Sequence, residues 1–126
     1  MAFNLEKAKT TSTPYIFIDE EKGCMRMEGR SFHENAIEIF SDISNWLDKY
    51  LRTNFGCFIF DCEMNYFNSS TVKILLNMIM KMDKFSSGEN KVIVNWITTV
   101  DNEIILECGE DFREDVNNLT FNIIIK

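Results

Sequence analysis

The feature that most limits what this chain can fold into is a repeated change of hydrophobic period. Short apolar runs that suit strands alternate with stretches whose apolar residues recur every three or four positions. Such a chain has to bury a sheet against helices. "YIFIDEE" and "GCMRMEG" flank an acidic, Gly-containing turn, and predict a β-hairpin of Tyr15–Asp19 and Cys24–Glu28 joined through "EEKG". Ser31 followed by Glu34 is a capping-box spacing, so a helix is expected to start there. Ala36, Phe40, Ile43, Leu47 and Tyr50 give it one apolar face to about Leu51. Cys57–Phe60 is a continuous apolar run, as in a strand buried on both faces. Val72, Leu75, Leu76, Ile79, Met82 and Phe85 mark a second helix that "SSGEN" ends. "KVIVNWI" reads as another buried strand. A third helix runs from Asp101 to about Val116, with Ile105, Cys108, Gly109 and Phe112 on one side, and "TFNIIIK" is a closing strand.

The order is β-β-α-β-α-β-α-β, an α/β domain whose sheet has a parallel centre and an N-terminal hairpin on one flank. The chain has 126 residues, the size of one domain with one core, so 1–126 is read as a unit with 1–12 as a flexible N-terminus. Right-handed crossovers place the strand ends on a common edge, and in such sheets function gathers beyond the carboxyl ends of the strands.

Charge excludes several classes of partner. The formal net charge is −7 and the basic residues are scattered singly among acids, so nucleic acid and anionic membrane are both disfavoured. Localised acid does favour a basic protein partner. "GEDFREDV", residues 109–116, reads as a solvated helix end anchored by Phe112, or as part of an acidic docking rim. No apolar run approaches the roughly 20 residues a membrane span needs. "MAFNLEKAKTTSTP" lacks the apolar core of a signal peptide, so a cytoplasmic location is expected. Cys24, Cys57, Cys62 and Cys108 form no C-x-x-C pair and are read as free, mostly buried thiols. Trp46 and Trp96 are read as core or interface aromatics.

The stretch that invites chemistry is "YFNSST", residues 66–71, where an apolar strand gives way to a helix. Asn68, Ser69 and Ser70 are each good N-caps, but only one can occupy the cap. The others become exposed hydroxyls beside a positive helix end, where a phosphate would meet unpaired N–H groups. A catalytic serine would need a base. His33 is the only histidine and is placed in the first turn of another helix, and G-x-S-x-G is absent. One His and four dispersed Cys make no metal set, and neither G-x-G-x-x-G nor a Walker A pattern occurs, so no cofactor is expected. Asp61 and Glu63 are two apart and share a face; they are expected to form an acidic rim on the edge that holds the serines.

Six blocks, in order, resemble the SiaC family of bacterial regulatory phosphoproteins: "TSTPYIFID", "GRSFHENA", "WLDKYL", "YFNSST-VK", "VNW" and "GEDFREDV". The resemblance spans about Thr11 to Phe121. It implies a single domain like the anti-sigma-factor antagonists, or STAS domains, which carry a phosphorylatable hydroxyl at the start of a helix. In the family the acceptor directly follows the Asn of the fourth block, here Ser69, with Ser70 and Thr71 as alternatives. The family's usual Thr is Ser at this position, and the Pro of its second block is His33 here. The resemblance further implies a non-enzymatic switch with a cognate protein kinase, a PP2C-type phosphatase and a diguanylate cyclase as partners. The unphosphorylated form would engage the cyclase through Tyr66, Phe67, Asn68, Ser70, Glu34 and Asn35. Two other readings use the same turn: a STAS-type anti-sigma-factor antagonist, and a small hydrolase built on Ser69.

Overall fold

The computed structural model describes residues 2–126. Its elements are β1 (Asn4–Lys7), β2 (Tyr15–Asp19), β3 (Cys24–Ser31), α1 (Ala36–Tyr50), β4 (Cys57–Phe67), α2 (Ser69–Phe85), β5 (Lys91–Thr98), α3 (Glu103–Asp115) and β6 (Thr120–Ile125). The six strands form one sheet in chain order. The pairings β1–β2 and β2–β3 are antiparallel, and those from β3 through β6 are parallel. The hairpin therefore occupies one flank, and the parallel block continues to the β6 edge. Each crossover steps to the next strand in the same direction, so right-handed connections put α1, α2 and α3 on one face.

Burial follows from that layering. Ile16, Ile18, Met25, Met27, Phe58, Phe60, Cys62, Val92, Val94 and Trp96 point under the helices and are buried. They meet Phe40, Ile43 and Leu47 of α1, Leu75, Ile79 and Met82 of α2, and Ile105 and Phe112 of α3. Alternate residues such as Ile59 and Ile93 lie half-buried on the open face. The expectation that Cys57–Phe60 is buried on both faces is thereby corrected. Apolar residues on the uncovered face made an alternating strand look continuous.

The open face carries its own order. Arg26, Asp61, Asn95 and Asn122 are in register across β3, β4, β5 and β6. Asn95 Nδ2 donates to Asp61 Oδ1 at 2.8 Å, and Asn122 Nδ2 donates to Asn95 Oδ1 at 3.1 Å. Arg26 also bridges Glu28 at 2.8 Å and Glu63 at 2.7 Å, and Lys126 reaches Glu63. A one-residue slip of any strand would break this ladder and turn the core row outwards.

Three boundaries differ from the sequence reading. Residues 1–12 were expected to be flexible, yet Asn4–Lys7 pair with β2, Leu5 opposite Ile18. Phe3 stacks on Trp46 at 5.5 Å between ring centroids, which anchors that strand. The Ser31–Glu34 capping box does not form. β3 runs to Ser31, α1 starts at Ala36, and its N-cap Asn35 makes no side-chain cap bond. β4 extends to Phe67, well past Asp61, so the serines follow the strand with one residue between.

Two glycines are dictated by close approach. Gly23 turns the β2–β3 hairpin with φ +65°, and an added Cβ would lie 2.5 Å from the Cys57 carbonyl oxygen. Gly109 lets α3 lie against the Trp96 indole, where a Cβ would overlap the ring. The same indole donates from Nε1 to the Ile105 carbonyl at 2.9 Å.

Candidate functional site: the rim at the start of α2

The carboxyl ends of β3, β4, β5 and β6 form one rim, and α2 begins there. Asn68 is the only residue between β4 and α2, and its extended backbone (φ −88°, ψ 176°) turns the chain. Its N–H donates to the Ser31 carbonyl at 3.1 Å, which carries the strand pairing one residue further. Its side-chain Oδ1 accepts from the Thr71 N–H and lies 3.1 Å from the Thr71 hydroxyl. Asn68 is therefore the cap, and the question of which of three residues takes that place is closed. Thr71 and Ser31 are both buried, and their hydroxyls are 2.8 Å apart. This knot bolts the ends of β3 and β4 to the first turn of α2.

The consequence for the hydroxyls is direct. Ser69 and Ser70 are the first two residues of α2 and both are exposed. Among the described residues neither backbone N–H has a hydrogen-bond partner, while that of Thr71 is taken by Asn68. The first turn of α2 holds no acidic side chain. Ser69 and Ser70 thus offer exposed hydroxyls beside free N–H groups and the positive end of a 17-residue helix. Thr71, the third alternative acceptor, is corrected: its side chain is sealed in the knot.

The expected docking residues divide in two. Tyr66 is 43% exposed, and Glu34, Asn35 and Ser70 are exposed on the same rim. Phe67 is not available, because it is buried with its ring against Trp96 at 6.0 Å. Asn68 spends its side-chain oxygen on the cap. His33 precedes α1 in place of its expected position in the first turn, and its Nδ1 accepts from the Asn35 N–H at 3.1 Å. Asp61 and Glu63 do share a face, but they sit in the middle of β4 on the open side of the sheet, paired to Arg26 and Lys126. The expected acidic edge beside the serines is therefore corrected. β4 is longer than the apolar run suggested, so its acids lie below the rim. An acid that does belong to the rim is Asp101, in the turn before α3. A hydrogen bond from the Thr99 side chain holds its carboxyl below the usual carboxylate range.

The sequence reading missed the apolar character of this rim. Ile37 at the start of α1 is 76% exposed, Val100 before α3 is 70%, and Ile104 in its first turn is 73%. With Tyr66 they add exposed apolar residues to the end of the sheet where α2 starts. Arg30 and Phe32 were missed as well. A register shift between Gly29 and Arg30 sets Arg30 opposite Tyr66. The Arg30 guanidinium then lies 5.3 Å from the Phe32 ring centroid and 5.6 Å from that of Tyr66. No pattern of residue types announces a bulge, but "GRSF" did place an aromatic just past a strand end. From this rim an open groove of about 600 Å³ descends between α1 and α2, past Ile37, Ser41, Ser70, Lys73, Asn77 and Lys81. Among the described residues no group of three or more His, Cys, Asp or Glu side chains converges to hold a metal ion.

Fold and rim together define a small two-layer α/β domain that presents exposed hydroxyls at a capped helix start, on a rim that also exposes apolar residues. Residues 7–126 match the SiaC family of regulatory phosphoproteins, and the chain belongs to that family. It is 30% identical over 106 residues to an uncharacterized protein of Pseudomonas aeruginosa strain UCBPP-PA14, covering 84% of each. It is similar to the crystal structure of apo-SiaC from Pseudomonas aeruginosa, with TM-score 0.87, 27% identity, and 97% and 98% of the two chains covered. A crystal structure of the diguanylate cyclase SiaD in complex with its activator SiaC, from the same organism, gives TM-score 0.88 and 28% identity over 97% of this chain and 99% of that one.

Proposed function

We propose that this chain is a non-enzymatic activator of a diguanylate cyclase, switched by phosphorylation of Ser69. Family membership supports the regulatory role, and the likeness to SiaC in its complex with SiaD supports the choice of partner. The observation that carries the site is the exposed Ser69 hydroxyl at the first position of α2. Beside it are two free N–H groups, and the same end of the sheet exposes Ile37, Tyr66, Val100 and Ile104.

The mechanism is local. A phosphate on Ser69 adds about −1.5 to −2 charges at pH 7. The free N–H groups and the helix dipole stabilise it in the isolated protein. The cyclase, docked over the same rim through Tyr66, Glu34, Asn35 and Ser70, would have to strip water from that dianion on a rim that also carries exposed apolar residues and the carboxylate of Asp101. The phosphorylated form is thus comfortable alone and unfit for the complex. A cognate kinase and a PP2C-type phosphatase set the ratio of the two forms in the cytoplasm.

Mass spectrometry after treatment with the cognate kinase, paired with titration of the cyclase, tests this. Ser69→Ala is expected to take no phosphate and to bind like the unmodified protein. Ser69→Asp is expected to bind more weakly. Phosphate on Ser70 would move the site, and equal affinity of wild type, Ser69→Asp and fully phosphorylated protein would remove the switch. Turnover of a substrate by the purified protein, abolished in Ser69→Ala, would replace the whole reading with a hydrolase.

A further inference from the structure

We infer that β6 is a self-pairing edge, and that two copies of this chain join there, antiparallel about a two-fold axis, into one continuous sheet. The two edges of the sheet are unlike. β1 is four residues long and carries Glu6 and Lys7, which suit an edge kept out of association. β6 is six residues, "TFNIII", with no charge, proline or bulge within it. Among the described residues its only strand partner is β5. The Lys126 N–H donates to the Thr98 carbonyl, so even-numbered residues turn their main-chain groups to β5. Phe121, Ile123 and Ile125 then turn theirs outwards. The complement of such an edge is another extended strand.

The register follows from the open face. The ladder Arg26, Asp61, Asn95, Asn122 ends at the edge with an exposed amide, whose Nδ2 donates inwards to Asn95. Its Oδ1 and its second N–H are free to pair. Parity allows an antiparallel two-fold that sets Asn122 opposite Asn122 of the second copy, in a non-hydrogen-bonded pair where side chains approach most closely. The two amides would then bond reciprocally and carry the polar ladder across the axis. Phe121 and Ile123 would form the flanking hydrogen-bonded pairs, and half-exposed Ile124 would be covered. This self-complementarity favours a second copy over a foreign strand, and it is the isologous geometry of a closed dimer. Each copy carries a net charge of −7, so added salt should strengthen the pairing.

Sedimentation equilibrium of the full chain across concentration and salt, with circular dichroism as the fold control, tests the inference. Wild type is expected to dimerise reversibly, more tightly at higher salt. Ile123→Pro deletes only an outward N–H and spares the β5 ladder; it should weaken the dimer roughly tenfold or more. Asn122→Asp sets like charges opposite each other and should do the same, and it decides the matter if the proline variant fails to fold. In a Cys57→Ser background, which removes the exposed native thiol, Asn122→Cys should form an intermolecular disulfide under mild oxidation that Cys57→Ser alone does not. A monomer at all concentrations, or a dimer indifferent to Ile123→Pro and Asn122→Asp, would overturn the inference. A monomeric wild type whose cyclase binding is lost in Ile123→Pro would overturn it too, and would give the edge to a strand of the partner.

Discussion

Asn68, Ser69, Ser70 and Thr71 are adjacent and chemically alike, yet the fold gives them different tasks. Asn68 satisfies the Thr71 N–H, so Asn68→Ala should cost about 0.5–2 kcal/mol in urea unfolding. Ser69 makes no cap bond, and Ser69→Ala should stay within about 0.5 kcal/mol of wild type. That contrast separates a role in stability from a role in signalling, because only the Ser69 substitution should abolish phosphorylation with the fold untouched. Thr71→Val keeps the shape but leaves the Ser31 hydroxyl buried without its partner at 2.8 Å. A loss of about 1–3 kcal/mol is expected, and Thr71→Ser should recover much of it. The sequence could show that one residue of "NSST" caps α2. It could not show which, because the choice depends on Ser31, 40 residues from Thr71 in the chain.

At the scale of elements, the helices were legible because each buries a stripe: Ala36, Phe40, Ile43 and Leu47 in α1, and Leu75, Ile79 and Met82 in α2, are all buried as spaced. Strand lengths were less legible. Past Asp61, β4 passes into polar residues of the open face, which resemble a loop when read alone, and Asn4–Lys7 is too short to show a period. Ties between elements were invisible. Asp83, near the end of α2, is 5% exposed and accepts from the backbone N–H groups of Asn117, Asn118 and Leu119, so it pins the turn between α3 and β6. A lone Asp on an apolar helix face gives no hint of such partners. Asp83→Asn offers one acceptor in place of two and directs an NH₂ group at main-chain donors. It should cost about 1–3 kcal/mol, read as a lower urea midpoint at unchanged m-value. Gly109→Ala presses α3 off Trp96 and should cost a further 1–3 kcal/mol, roughly, with a change in tryptophan fluorescence.

For the whole molecule, the helices cover one face of the sheet and leave the other to the charged ladder, so the two faces answer differently to solution conditions. The helix-side core is apolar, and its Cys62 thiol is pushed well above the usual thiol range by burial, which makes it inert to alkylation in the native state. The open face is held in part by Glu63, where β4 meets Arg26 of β3 and Lys126 beyond β6. The hydrogen bond from Lys126 is the largest influence on the Glu63 carboxyl; burial opposes it, but with the hydrogen bond and charge of Arg26 the net effect holds the group below its ordinary value of 4.5. The folded state therefore binds the Glu63 proton less readily than the unfolded state does. The stability this contributes is fully present above the unfolded pKa and is lost as pH falls through the lower folded value. Thermal unfolding followed by circular dichroism from pH 7 to well below 4.5 should show it. Glu63→Gln should have a lower Tm than wild type at neutral pH, and the gap should close in acid as wild type takes up the proton. Because Glu63 and its partners are partly exposed, salt should shrink the neutral-pH gap as well. A Tm difference that stays constant with pH and salt would mean that Glu63 acts through packing and not through its charge.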